Sequence, residues 1–133
     1  MKMARWFINV TNAQKLAGAV STLREFLDEP VVSKRDLAGV LQGFSFSFEL
    51  AWKALQDETL RRGYLQKGPR PVLQAAFESG IISPESSEIW ANMMEDRSLV
   101  AHTYRTEWAT QLVDRIRGTH LAALESVSQS LNN

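Results

Sequence analysis

The stretch "RSLVAHTY", residues 97–104, holds an arginine, a histidine five residues later and a tyrosine two beyond that. Arginine offers a permanently charged fork suited to phosphate or carboxylate oxygens. Histidine, with an ordinary pKa near 6.5, takes and gives protons at neutral pH. Tyrosine adds a hydroxyl that donates, accepts or is modified. These residue types fit charge stabilisation and proton transfer. On one continuous helix each residue turns about 100°, so Arg97 and Tyr104 nearly coincide while His102 lies about 140° from Arg97. A site using all three requires the helix to bend or end near residues 101–103, or a second helix or subunit to complete it. Arg97 also continues a row made by Trp90, Met93, Val100 and Tyr104, a cation in an apolar stripe. That costs stability unless a carboxylate, a carbonyl or a ligand answers the charge. The purely structural alternative is an arginine paired with a carboxylate on another helix, a partly exposed His102 and a core Tyr104 with its hydroxyl at the rim.

The chain around this stretch has 133 residues, 44% of them hydrophobic, with 15 basic and 15 acidic side chains, the size and balance of one domain over residues 1–133. No apolar run approaches the roughly 18 residues of a membrane span, and "MKMARWFINV" lacks the long apolar core of a signal peptide, so a cytoplasmic protein is expected. The sequence contains no cysteine, which excludes disulfides, thiolate catalysis and cysteine zinc sites. His102 and His120 are then the remaining nitrogen ligands, and neither a metal centre nor a resident cofactor is expected. A formal net charge of zero argues against a general polyanion binder. The distribution is less even: "RRGYLQKGPR" at 61–70 holds four cations and no acid, whereas 71–96 holds five acids and no base. Arg61 and Arg62 favour the negative end of a helix, so the basic stretch reads as a helix end and solvated loop, with contact to phosphate groups as the alternative.

Helical periodicity runs throughout. Leu37, Val40, Leu41, Phe44, Phe48, Ala51, Trp52 and Leu55 mark one face of a long helix capped by Ser33 and stopped by Gly63. The alternating "GFSFSFE" inside it yields to the longer period. Phe46 shares a second face with Gly39, Gly43 and Leu50, either packed inside the monomer or used for self-association. Leu16, Val20, Leu23 and Leu27 mark an earlier helix from about residue 4 to 28, ended before Pro30. A short helix opens near Pro71 and stops at Gly80, another follows Pro84, and a last one runs from about Thr106 to Leu131 with Trp108, Leu112, Ile116, Leu121 and Leu124 inward. His120 is expected on the surface of that last helix, and Trp52, Trp90 and Trp108 in the core. The expected fold is an all-α, up-and-down bundle of four long, mainly antiparallel helices with a short accessory helix.

With the elements placed, "RSLVAHTY" resembles the R-x4-H-x-Y signature of HEPN-family proteins of the HepT type. "FSFSFELAWKAL", "GPRPVLQAAFESGII" and "WANMMEDRSLVAHTY" resemble, in the same order, proteins described as nucleotidyltransferase substrate-binding proteins; the similarity covers roughly residues 5–117. The resemblance implies a HEPN helical bundle, usually a homodimer, in which two motifs meet in a cleft and cut RNA without a metal. It implies a toxin of a toxin–antitoxin pair, with Arg97 and His102 as nuclease residues and Ser98 and Asp96 as auxiliary ones. Tyr104 corresponds to the hydroxyl to which a minimal nucleotidyltransferase antitoxin, using ATP and Mg²⁺, transfers AMP. The departure is Ser98, where active members often carry asparagine, aspartate or histidine. The alternatives are a noncatalytic subunit that binds a nucleotidyltransferase and presents its substrate, and a plain helical interaction module.

Overall fold

The computed structural model describes residues 10–101 and 106–133, and these build an all-α fold with no strand among them. Helix α1 spans Asn12–Asp28, α2 Lys34–Arg61 and α3 Pro69–Glu78. A 3₁₀ turn at Pro84–Ser86 leads into α4, Ser87–Val100. Helix α5 spans Thr106–Arg115, and a π turn at Ile116–His120 joins it to α6, Leu121–Asn132.

The caps explain most boundaries. Thr11 accepts from the Gln14 amide while the Gln14 side chain accepts from the Thr11 amide, a reciprocal box that fixes the start of α1. That start lies later than the expected residue 4: residues 10 and 11 are not helical, and residues 1–9 lie outside the described part. Ser33 and Asp36 form the same box at α2, and Gly63, at φ +97°, ends it in a backbone conformation that a Cβ disfavours. Helix α3 starts at Pro69, two residues before the expected opening, because Pro69 and Pro71 both fit a first helical turn.

Helix α2 is the central element and packs against α1, α3, α4, α5 and α6. Phe26 of α1 lies over Gly39 and Leu23 over Gly43, so the two helices run antiparallel in close contact. Leu50 is buried as well, leaving Phe46 as the exposed member of the second face. Small residues beside large ones thus serve contacts within the monomer. The core gathers Leu16, Leu23, Val40, Phe44, Phe48, Leu55, Trp90, Met93, Leu112, Ile116 and Leu124. At roughly 1.5–3 kcal/mol for each large apolar side chain removed from water, these residues supply the main stabilising term.

Candidate functional site

Helix α4 ends at Val100, with Ala101 as its C-cap. The helix thus ends at the start of the window, residues 101–103, in which a site using Arg97 and His102 requires a bend, an end or a second element. His102 and Tyr104 lie outside the described residues.

Arg97 projects from the last turns of α4 toward α2. Its Nη2 donates to Glu49 Oε2 at 2.7 Å, and the side chain keeps 41% of its exposure. The same carboxylate accepts from Trp52 Nε1 at 3.2 Å and pairs with Lys53 at 3.6 Å. Three residues of α2 thus steer one guanidinium, whose only hydrogen bond among the described residues is the one to Glu49. Arg97, Ser98, Val100 and Ala101 of α4 face Ala38, Leu41, Gln42 and Ser45 of α2 across an open groove of about 480 Å³. The groove joins one cation to apolar and small polar walls. The Ser98 hydroxyl, however, donates to the Glu95 carbonyl one turn back at 2.8 Å, so it is committed to its own helix.

Asp96, expected as an auxiliary residue, points away from the Arg97 groove. It is 6% exposed and turns toward α5 and the π turn. Arg115 donates to it twice, Nε to Oδ2 at 3.0 Å and Nη2 to Oδ1 at 2.8 Å, and His120 Nε2 lies 2.8 Å from Oδ2. Burial raises the Asp96 pKa, but the hydrogen bonds from Arg115 and His120 outweigh it and leave the carboxyl below its ordinary value. Burial likewise dominates at His120, holding its pKa below the ordinary value although Asp96 pulls it upward. With Asp96 ionised, Nε2 carries the proton of a neutral ring, and Nδ1 faces the Thr119 hydroxyl at 3.2 Å.

His120 corrects the expectation of a surface residue: it is 2% exposed and stacks on Phe44 at 5.4 Å between ring centres. Its spacing carried a signal, since Leu112, Ile116 and His120 step by four along one face. The π turn, closed by the Leu121 amide donating to the Ile116 carbonyl, then lets both His120 and Leu121 point inward. A polar residue type argued for solvent, and the Asp96 that satisfies it stands too far away in sequence to be seen. The inward row of α4 is likewise Trp90, Met93 and Asp96; Arg97 is half-buried beside it. Trp90 lies in the core and Trp52 and Trp108 at its edge.

The basic stretch lies elsewhere. Arg61 and Arg62 both pair with Glu58, and Arg62 also donates to the Ser79 carbonyl, closing the α2–α3 corner. Along α2, Arg61 stands ~18 Å from Glu49 at about 1.5 Å per residue. It therefore belongs to another part of the surface than the Arg97 groove. Among the described residues no helix is long and apolar enough to cross a membrane.

Two solved structures share this arrangement of helices. A protein of Thermus thermophilus, ttk003001694, is 30% identical with a TM-score of 0.79, over 89% of this chain and 99% of that one. HI0074 of Haemophilus influenzae, described as having the fold of a substrate-binding domain of a nucleotidyltransferase, has a TM-score of 0.73 at 22% identity, over 91% of this chain and 99% of its own. No curated protein matches the chain. The family model described as "Nucleotidyltransferase substrate binding protein like" matches residues 11–133, and the chain belongs to this family of all-helical proteins.

Proposed function

We propose that the protein is the toxin of a HEPN-type toxin–antitoxin pair, a metal-independent endoribonuclease acting as a homodimer and restrained by a nucleotidyltransferase. What supports this reading is Arg97 at the wall of an open groove, one turn from the end of α4 and still 41% exposed, although its pairing with Glu49 is also what a purely structural arginine would make. In this reading the RNA 2′-hydroxyl attacks the adjacent phosphorus, the bond to the 5′-oxygen breaks, and a 2′,3′-cyclic phosphate forms. Arg97 answers the charge that grows on the nonbridging oxygens. His102 takes the 2′-hydroxyl proton or gives one to the leaving 5′-oxygen, and two copies across a dimer divide these roles. Tyr104 is the AMP acceptor, and each added AMP places bulk and negative charge where an RNA phosphate must enter.

The test is RNA integrity and growth after expression of the chain with and without a nucleotidyltransferase partner. Arg97→Ala and His102→Ala each abolish cleavage while circular dichroism remains helical. Full cleavage by a folded His102→Ala protein refutes the assignment. Incubation with the partner, ATP and Mg²⁺ adds whole AMP units to the intact mass, and Tyr104→Phe removes that addition.

Two observations favour a second reading, a noncatalytic subunit that presents substrate to a nucleotidyltransferase. The family description and the described role of HI0074 both concern substrate binding. Ser98, bonded to its own helix, also offers the groove less than the longer polar residues found at this place in active nucleases. A complex with the nucleotidyltransferase, without toxicity or RNA cleavage by the chain alone, selects this reading.

A further inference from the structure

Helix α4 carries an imbalance that its sequence hides. Its buried residues are Trp90, Met93 and Asp96. Beyond Met93 its apolar anchors are partial: Met94 and Val100 pack half-buried against the core and Leu99 is 37% exposed, so the one buried side chain there is polar. The last two turns, which present Arg97 to the groove, are fastened inward by a carboxylate. Asp96 takes three hydrogen bonds, two from Arg115 at the end of α5 and one from His120 in the π turn. It lies ~100° around the helix from Arg97, so the direction of one fixes the direction of the other.

We infer that Asp96, Arg115 and His120 form the mount that sets the rotation of the C-terminal turns of α4, and that they are positioning residues for Arg97. An apolar contact tolerates sliding and rotation because it is non-directional. A bidentate arginine–carboxylate pair with a third donor defines an angle as well as a distance. The π turn belongs to the same device, since it brings His120 inward against Phe44 without displacing Leu121 from the core. The inference deepens the nuclease reading and rests on it only for the catalytic consequence; the geometry of Arg97 is measurable without it.

The experiment compares Asp96→Asn, His120→Leu and His120→Gln in the full chain, with Leu124→Ala as a core truncation on another helix. The first readout is the Arg97 side-chain ¹H–¹⁵Nε signal, assigned by its loss in Arg97→Ala; the second is kcat and KM for RNA cleavage. Asp96→Asn and His120→Leu shift the Arg97 signal and lower kcat by roughly ten- to a hundredfold, the scale set by a misplacement of about 1 Å. His120→Gln restores a donor to Asp96 and keeps both readouts near the parent values, as does Leu124→Ala despite its lower melting temperature. An unchanged Arg97 signal in Asp96→Asn and His120→Leu, while the Arg115 Nε signal moves, overturns the inference. Equal loss of the Arg97 signal in Leu124→Ala overturns it as well, because any destabilisation would then suffice. If Asp96→Asn does not fold, the His120→Leu and His120→Gln pair decides alone. Absence of RNA cleavage by the parent chain refutes the nuclease reading, and the Arg97 signal still decides the mount.

Discussion

Replacing His120 by leucine isolates one bond of the buried network. Leucine fills much the same space but cannot donate, so Asp96 loses the 2.8 Å contact from Nε2 and keeps both bonds from Arg115. Because the carboxylate still has a cation, the roughly 3–5 kcal/mol cost of orphaning a buried charge does not apply. The loss is that of one hydrogen bond to a charged group, about 2 kcal/mol. For a chain of this length that lowers the melting temperature by roughly 8 °C. The assay is thermal and urea denaturation followed by circular dichroism at pH 8, where the parent ring is neutral. Acidification adds a second signature. Burial depresses the His120 pKa, so between the ordinary value and the folded one the unfolded chain binds a proton that the native chain does not. The corresponding stability is fully present above about pH 6.5 and is lost as the pH falls through the folded pKa. The leucine variant lacks this component, and its deficit relative to the parent narrows on acidification. A His120→Leu protein as stable as the parent at pH 8, or a deficit that widens between pH 6.5 and 5, refutes the reasoning.

Other substitutions probe different parts of the molecule. Arg97→Ala removes a partly exposed ion pair with Glu49 and costs under about 1 kcal/mol in denaturant unfolding while eliminating RNA cleavage; a large stability loss with cleavage retained would make the arginine structural. Gly63→Ala forces a Cβ onto a φ of +97° and destabilises by about 1 kcal/mol, measurable as a lower urea midpoint at unchanged slope. Ser47 is fully buried and its hydroxyl has no hydrogen-bond partner among the described residues, so Ser47→Ala raises stability by about 1 kcal/mol. Asp96 contributes stability that is present above about pH 3.9 and lost as the pH falls through its depressed folded value, so Asp96→Asn flattens the acid limb of unfolding.

Periodicity and punctuation made most of the fold legible. The four-residue steps through α1 and α2, Ser33 at one end and Gly63 at the other, are local signals that the structure keeps. Thr11 was a local signal too: its capping box with Gln14 competes with extending the helix toward residue 4. The π turn left a trace as a five-residue step between the inward Ile116 and Leu121, where an α-helix steps by three or four. The rotation between Arg97 and His102 implied that a site using both needs more than one straight helix, and α4 ends at Val100. The apolar stripe beside Arg97 called for a carboxylate, a carbonyl or a ligand, and the structure supplies Glu49.

The sequence by itself determined an all-α chain, the caps of α2 at Ser33 and Gly63 and a candidate set of chemically able residues, because these depend on residue type and on neighbours within about two turns. Tertiary structure decided the polar partnerships. Glu49 reaches Arg97 across 48 residues, and Asp96 reaches Arg115 and His120 across 19 and 24. A histidine alone reads as a surface residue because burying its ring unpaired is costly. Buried against Phe44 with a carboxylate 2.8 Å away, it becomes part of the core. That reversal depends on which helices meet, and no local pattern in the chain encodes it.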